Sequence, residues 1–190
     1  MREAADANQM LCISEVMATE DVEMVANYVD ILQLGARNMQ NYNLLKKVGK
    51  TNTPVLLKRG MCATYNEFLL AAEYILSFGN PNVMLCERGI RTFETHTRNC
   101  LDIAAVPVLK ELTHLPIIID PSHGTGLRHA VAPMAKAAMA VDADGVIVES
   151  HYDPDNAVSD AKQTLSMDML ADMMSDLKRM GDALNRPLAT

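Results

Sequence analysis

Pro116-Ile117-Ile118-Ile119-Asp120, followed at once by Pro121-Ser122-His123-Gly124-Thr125-Gly126, decides how this chain folds. Its apolar run is continuous rather than alternating, the pattern of a strand buried on both faces of a parallel sheet. The residues that close it are small or polar. Gly124 and Gly126 let backbone amides approach an anion where the next helix begins. The same grammar recurs on either side. Residues 11–16 (LCISEV), 30–35 (DILQLG), 54–58 (PVLLK) and 82–86 (NVMLC) precede it, and 145–149 (GVIVE) follow. Between these runs, residues 19–28, 41–49, 64–78, 101–112 and 127–141 carry helical spacing. A last helix spans about 167–184, where Met167, Leu170, Met174 and Leu177 line up as an apolar stripe.

Six strand–helix units in series predict a parallel sheet with right-handed crossovers. Two architectures meet that description, an open doubly wound sheet and a (β/α)8 barrel. A complete barrel takes about 250 residues, so a 190-residue chain holds about six of its eight units. No strand leads into GxGxxG, which removes the support for a dinucleotide-binding domain. There is no internal repeat, low-complexity stretch or interdomain linker, and residues 1–190 read as a single domain. Residues 2–10 (REAADANQM) read as the tail of a helix, as if the chain were entered partway through a fold.

Composition narrows the function classes. With 49% hydrophobic and 22% charged residues the chain is ordinary globular material. No apolar run approaches the length of a membrane span, and no signal peptide opens the chain. A formal charge of −7 argues against general affinity for nucleic acid or an anionic membrane. The four cysteines are scattered without a CxxC pair, which fits a reduced cytoplasmic protein. Cys12 and Cys86 lie on strands and read as small core residues, and the 14 methionines read as core filler.

Chemistry gathers where the strands end. Glu15 follows the first, Gly35-Ala36-Arg37-Asn38 the second, Lys58-Arg59-Gly60 the third and Glu87-Arg88-Gly89 the fourth. Asp120 to Gly124 follow the fifth and Glu149-Ser150-His151 the sixth. In a parallel α/β protein these ends share one face, where active sites form. Arg37, Lys58, Arg88, His123 and Glu149 are therefore expected to converge on one mouth of the sheet. Three consecutive strands ending in a cation, in an acidic chain, call for an anion such as phosphate or carboxylate. His123, Glu149 and Asp160 form a donor set for a divalent metal such as manganese, iron, cobalt or zinc. His151 and Asp153 compete for the same role by type and position.

The motifs GARNMQN (35–41), PVLLKRG (54–60), CERGIRTFE (86–94), DPSHGTG (120–126) and ESHYDPDNAVSD (149–160) closely resemble the 3-deoxy-D-arabino-heptulosonate 7-phosphate (DAHP) synthase family, in its short bacterial and archaeal subgroup. The resemblance runs from about residue 11 to 184. GARN and the LLKRG stretch separate it from the sibling 3-deoxy-octulosonate 8-phosphate synthases, which share barrel and chemistry. It implies a transferase that joins phosphoenolpyruvate to erythrose 4-phosphate, with release of phosphate, at the entry to the shikimate pathway of aromatic amino acid biosynthesis. It also implies a (β/α)8 TIM barrel and, for the complete enzyme, a homo-oligomer. The family's phosphoenolpyruvate-binding cations fall on Arg37, Lys58 and Arg88, and Glu15 matches a glutamate near that site. The metal ligands fall on His123, Glu149 and Asp160, which selects Asp160 over Asp153. Lys58 and His123 become the candidates for proton movement.

The family's Gly-Pro-Cys motif, whose Cys is a fourth metal ligand, and its substrate-binding Lys-Pro-Arg motif do not occur here. The first strand corresponds to the family's third. The expectation is thus an incomplete barrel: the C-terminal three-quarters of the enzyme, lacking two units, with open edges at the strands carrying Glu15 and Glu149. Such a chain alone is expected to be unstable and inactive as a synthase. The other readings are the octulosonate sibling and a non-catalytic phosphoenolpyruvate-binding remnant.

Overall fold

The computed structural model describes residues 1–188. The chain falls into two compact units, Met1–Cys86 and the stretch from Glu87 onward.

The first unit is built on consecutive parallel strands β1 (Ile13–Glu15), β2 (Ile31–Leu34), β3 (Val55–Lys58) and β4 (Val83–Glu87), the last residue of which opens the second unit. Ile13 pairs with Ile31, Leu32 with Val55 and Leu57 with Leu85, all in parallel register. Every residue of β3 is buried, so the VLLK run faces packing on both sides as its continuous hydrophobicity requires. The helices are α1 (Arg2–Ala7), α2 (Val22–Ala26), α3 (Tyr42–Val48) and α4 (Tyr65–Ser77).

Local chemistry sets their ends. Thr64 and Glu67 form a reciprocal capping box at the start of α4, and the Asn41 side chain accepts the Leu44 N–H at the start of α3. Phe68, Ala71, Ala72 and Ile75 follow at three- and four-residue steps and are the buried face of α4. Asn80, fully buried, donates to the Thr53 carbonyl at 2.8 Å and accepts the Asn82 N–H at 3.0 Å, which ties the entry of β4 to that of β3. Asp30 accepts from the Cys12 N–H and from Arg2, pinning α1 to the sheet. The helix-like residues 2–10 thus supply one short helix.

In the second unit β5 (Ile117–Ile119) pairs in parallel with β6 (Gly145–Val146), and the Asp120 N–H donates to the Glu87 carbonyl at the end of β4 at 2.8 Å. Helices α5 (Ala105–Leu112), α6 (Pro121–Thr125), α7 (Arg128–Ala140) and α8 (Met167–Ala183) complete it. Val131 and Ala135 of α7 and Met173 and Leu177 of α8 bury one cluster with Leu165.

Two sequence expectations change here. The buried stripe of α8 runs through Met173, Leu177 and Gly181, while Met167 and Met174 are each 45% exposed. Leu177 lies on both stripes and Leu170 packs against the buried cluster, so the face is turned by well under one residue step, and methionines on both sides leave the sequence pattern nearly indifferent to it. Second, the sixth strand stays last in the sheet as expected, but the run that leads to Glu149 is paired past its end. The strand itself ends at Val146. The Leu165 N–H then donates to the Glu149 carbonyl, the His151 N–H donates to that of Leu165 (both at 2.9 Å), and Ser150 pairs in parallel with Leu165. The returning chain buries Leu165 completely and satisfies the backbone there.

The buried face of α4 is sensitive to truncation. Phe68→Ala is expected to lower the unfolding free energy by about 3–5 kcal/mol, read as a shift in the urea midpoint at unchanged slope. A loss below about 1 kcal/mol would show that Phe68 is not part of a packed core.

Candidate metal centre

The turn after β5 is organised by one carboxylate. Asp120, 1% exposed, accepts the backbone N–H of His123 on Oδ1 at 2.9 Å and holds the imidazole Nδ1 on Oδ2 at 2.8 Å. It is therefore both the N-cap of α6, whose first residue is Pro121, and the group that fixes the His123 ring. With Nδ1–H engaged, Nε2 presents its lone pair outward. Gly126 closes the helix in the left-handed region at φ 69°, where a side chain would collide with that of Arg98.

Two carboxylates face that lone pair. Glu149 Oε1 lies 3.4 Å from His123 Nε2, and Asp160 Oδ2 lies 3.7 Å from it. One ligand atom from each of the three residues lies within 4.8 Å of the others. Donors about 2.1 Å from a shared ion in tetrahedral array stand about 3.4 Å apart, so the separations match ligands better than hydrogen-bond partners. The second oxygen of each carboxylate is engaged: Glu149 Oε2 accepts from Gln163 Nε2 at 2.6 Å, and Asp160 Oδ1 accepts from Arg98 at 2.7 Å. The free atoms are the ones that meet, and a hard or borderline divalent ion fits this N,O,O set. All three side chains are 23–31% exposed, which leaves a path from solvent.

Asp153 is not in this group. Its carboxylate accepts from Asn156 Nδ2 at 2.8 Å within the turn it begins, and its N–H donates to the neighbouring His151 ring.

Arg88 follows the end of β4 and is 5% exposed. The buried carboxylate of Glu87 accepts the Gly89 N–H at 2.5 Å. Gly89 has φ 89°, and a Cβ there would stand 2.7 Å from Asn99 Cβ and 3.0 Å from Gly124 Cα. Only glycine allows this approach. Asn99 in turn donates to the His123 carbonyl at 2.9 Å, so the turns bearing Arg88 and His123 are fastened to each other.

In the first unit Glu15 and Lys58 end β1 and β3, and Arg37 sits in a short turn, Ala36–Asn38, just after β2. The Glu15 carboxylate lies across Gly35, at the place a side chain would take. Lys58 is 6% exposed. Its neighbour Arg59 is structural, donating to the Ala63 carbonyl at 2.9 Å and stacking on Tyr65.

The orienting residues Asp120, Gln163 and Arg98 were not singled out by sequence reasoning. Asp120 was legible in principle, as an Asp three residues before a His at a helix start. Gln163 and Arg98 carry no such signal, because long-range folding gives them their role.

The chain belongs to the DAHP synthetase I family. The model of that family matches residues 1–186. Phospho-2-dehydro-3-deoxyheptonate aldolase of Thermotoga maritima is 52% identical over 184 residues, which cover 97% of this chain and 54% of the relative. A 2-dehydro-3-deoxyphosphooctonate aldolase of Bartonella tribocorum is 31% identical over 181 residues, 90% of this chain and 64% of that protein. The chain thus spans 54% and 64% of the lengths of these two relatives. A truncated form of 3-deoxy-D-arabino-heptulosonate 7-phosphate synthase from Thermotoga maritima superposes with a TM-score of 0.97 at 50% identity, over 99% of this chain and 72% of that one. The fold is accordingly that of an incomplete (β/α)8 barrel, with six parallel strands in chain order. Among the described residues no helix is long and apolar enough to cross a membrane.

Burial, together with the negative charges of Asp160 and Asp120, pushes the Glu149 carboxyl above its ordinary range, against the opposing effects of the Gln163 hydrogen bond and of His123. The metal-free folded protein then holds that proton more tightly than the unfolded chain. Stability on this account falls as pH rises past the ordinary glutamate value through the raised one, and is level beyond it. Glu149→Gln is expected to melt higher than the parent at pH 7 in chelator and close to it near pH 4, as thermal unfolding at the two pH values would show. A lower melting temperature at pH 7 would contradict this.

Proposed function

We propose that the chain carries the metal centre and most of the phosphoenolpyruvate site of a 3-deoxy-7-phosphoheptulonate synthase, a transferase condensing phosphoenolpyruvate with erythrose 4-phosphate and releasing phosphate. The observation that carries this is the His123, Glu149 and Asp160 donor set beside the anchored Arg88, in a member of the DAHP synthetase I family. The heptulosonate reading is favoured over the octulosonate one by 52% against 31% identity.

In this proposal Arg88 joins Arg37 and Lys58 around the phosphate and carboxylate of phosphoenolpyruvate, and their charges screen the enol for attack on the aldehyde. Glu15 lies near the same substrate. A divalent ion on His123, Glu149 and Asp160 (manganese, iron, cobalt or zinc) would supply Lewis-acid polarisation of the aldehyde oxygen. Asp120 keeps His123 in the tautomer that presents Nε2 to the site. Lys58 and His123 are the candidates for proton movement. Water adds at the substituted carbon, and carbon–oxygen cleavage releases phosphate. The reading treats residues 1–190 as one catalytic partial barrel, and it extends to a cytoplasmic homo-oligomer.

The test is phosphate release from phosphoenolpyruvate and erythrose 4-phosphate by the chain joined in frame to a family N-terminal segment bearing the Gly-Pro-Cys and Lys-Pro-Arg motifs. Expected are turnover that a chelator stops and manganese restores, loss of at least about 100-fold in Lys58→Ala and His123→Ala, and a raised KM for phosphoenolpyruvate in Arg88→Ala. Preference for a five-carbon aldose phosphate, as an eight-carbon product requires, would favour the octulosonate sibling. Phosphoenolpyruvate binding without turnover would favour the non-catalytic module.

A further inference from the structure

We propose that Gln163 is a positioning residue of the metal centre, acting with Arg98 to hold Glu149 and Asp160 apart and aimed at His123; this rests on the metal reading above. Gln163 is 2% exposed, and both ends of its amide are engaged. Arg98 donates to Oε1 at 3.1 Å, which fixes the amide's orientation and leaves Nε2 to donate to Glu149 Oε2 at 2.6 Å. The same guanidinium nitrogen of Arg98 donates to Asp160 Oδ1 at 2.7 Å. Glu149, Gln163, Arg98 and Asp160 thus form a hydrogen-bonded chain whose two ends are the two carboxylate ligands. Each carboxylate has one oxygen held by the chain and the other turned toward His123 Nε2.

The chain is anchored to the ligands' own backbone. The Gln163 N–H donates to the Asp160 carbonyl at 3.0 Å, which puts both residues on one turn. The next turn residue, Thr164, donates its hydroxyl to the same carbonyl at 3.1 Å. Asp160 takes a positive φ of 53°, a conformation that Asp tolerates and that needs support from its surroundings. The Arg98 N–H donates to the Thr125 carbonyl at 2.9 Å, and its side chain rests against Gly126, so Arg98 is fixed to the turn that carries His123. The movable parts of all three ligands are therefore tied to one another before any ion arrives.

The chemistry explains why a glutamine stands between Arg98 and Glu149. Two carboxylates facing one point repel, and the repulsion opens the site when no cation is there. A neutral amide passes donor capacity from Arg98 to Glu149 without a second full positive charge competing with the ion. A purely structural glutamine would stabilise the fold and leave the ion's affinity unchanged. Outer hydrogen-bond partners of metal ligands typically change affinity about 10- to 100-fold when removed.

The experiment is manganese titration of the metal-free protein, followed by the electron paramagnetic resonance of the free ion, below the melting temperature of every variant. The near-isosteric Gln163→Met is expected to bind manganese about 10- to 100-fold more weakly than the parent. Arg98→Lys, whose single ammonium cannot bridge both partners, is expected to bind at least about fivefold more weakly. In the double variant the two losses should fall short of their product, because both act through one chain. Parent affinity in both Gln163→Met and Arg98→Lys overturns the proposal, as do losses that multiply in full. His123→Ala separates the two levels of the argument. If it abolishes manganese binding while Gln163→Met does not weaken it, the metal reading stands and the positioning role falls. If the folded parent binds no manganese, both fall.

Discussion

Asp120 does three things at one point of the chain. Its backbone N–H continues the parallel ladder onto Glu87, one oxygen starts α6, and the other orients His123. An apolar side chain would leave the buried helix start without its cap and the imidazole free to rotate or change tautomer. Everything described at the metal centre is measured from His123 Nε2, so the direction of that lone pair is the constraint on which Glu149, Asp160 and their supports depend. The proline at the first helical position adds to it, since its fixed φ suits a helix start and it offers no N–H to satisfy.

Net charge and local charge tell different stories in this protein. The chain carries −7 overall, yet Arg88 and Lys58 are nearly buried at strand ends, while three acids, Asp120, Glu149 and Asp160, crowd one imidazole. Such a cluster costs stability when empty and gains it when a cation enters. An ion held there would link folding to binding, and Arg98, paired with Asp160, supplies a cationic counterweight to the acids.

Much of this was readable in advance, for identifiable reasons. Continuous Val, Ile and Leu runs gave the strands, because strands buried on both faces have no polar face to blur the pattern. Helical spacing over residues 64–78 anticipated α4. Legibility failed where the cause lies outside the segment. In α8, methionines around the whole helix hide which face meets Val131 and Ala135. Val148 and Glu149 look like more strand, but the ladder to β5 has ended and Leu165 returns beside Ser150. The choice of Asp160 over Asp153 came from likeness to a family and not from residue physics, since both are acids in the same loop. Gln163 and Arg98 lie 65 positions apart, and no periodicity links them.

The contact between Gly89 and Gly124 bears on how this protein can change over time. Between Ile90 and Cys100 the chain makes an excursion closed at its base by an antiparallel bridge, and Phe93 at its tip is 98% exposed. On the returning arm of this excursion Asn99, with the two glycines, locks the Arg88 turn to the His123 turn, and Arg98 beside it reaches Asp160. A change in the length of residues 91–97 would therefore pull on the arm that holds both turns, and a single methyl group at Gly89 cannot be accommodated. Freedom to vary is thus left to the exposed tip around Phe93, between two arms that are both held.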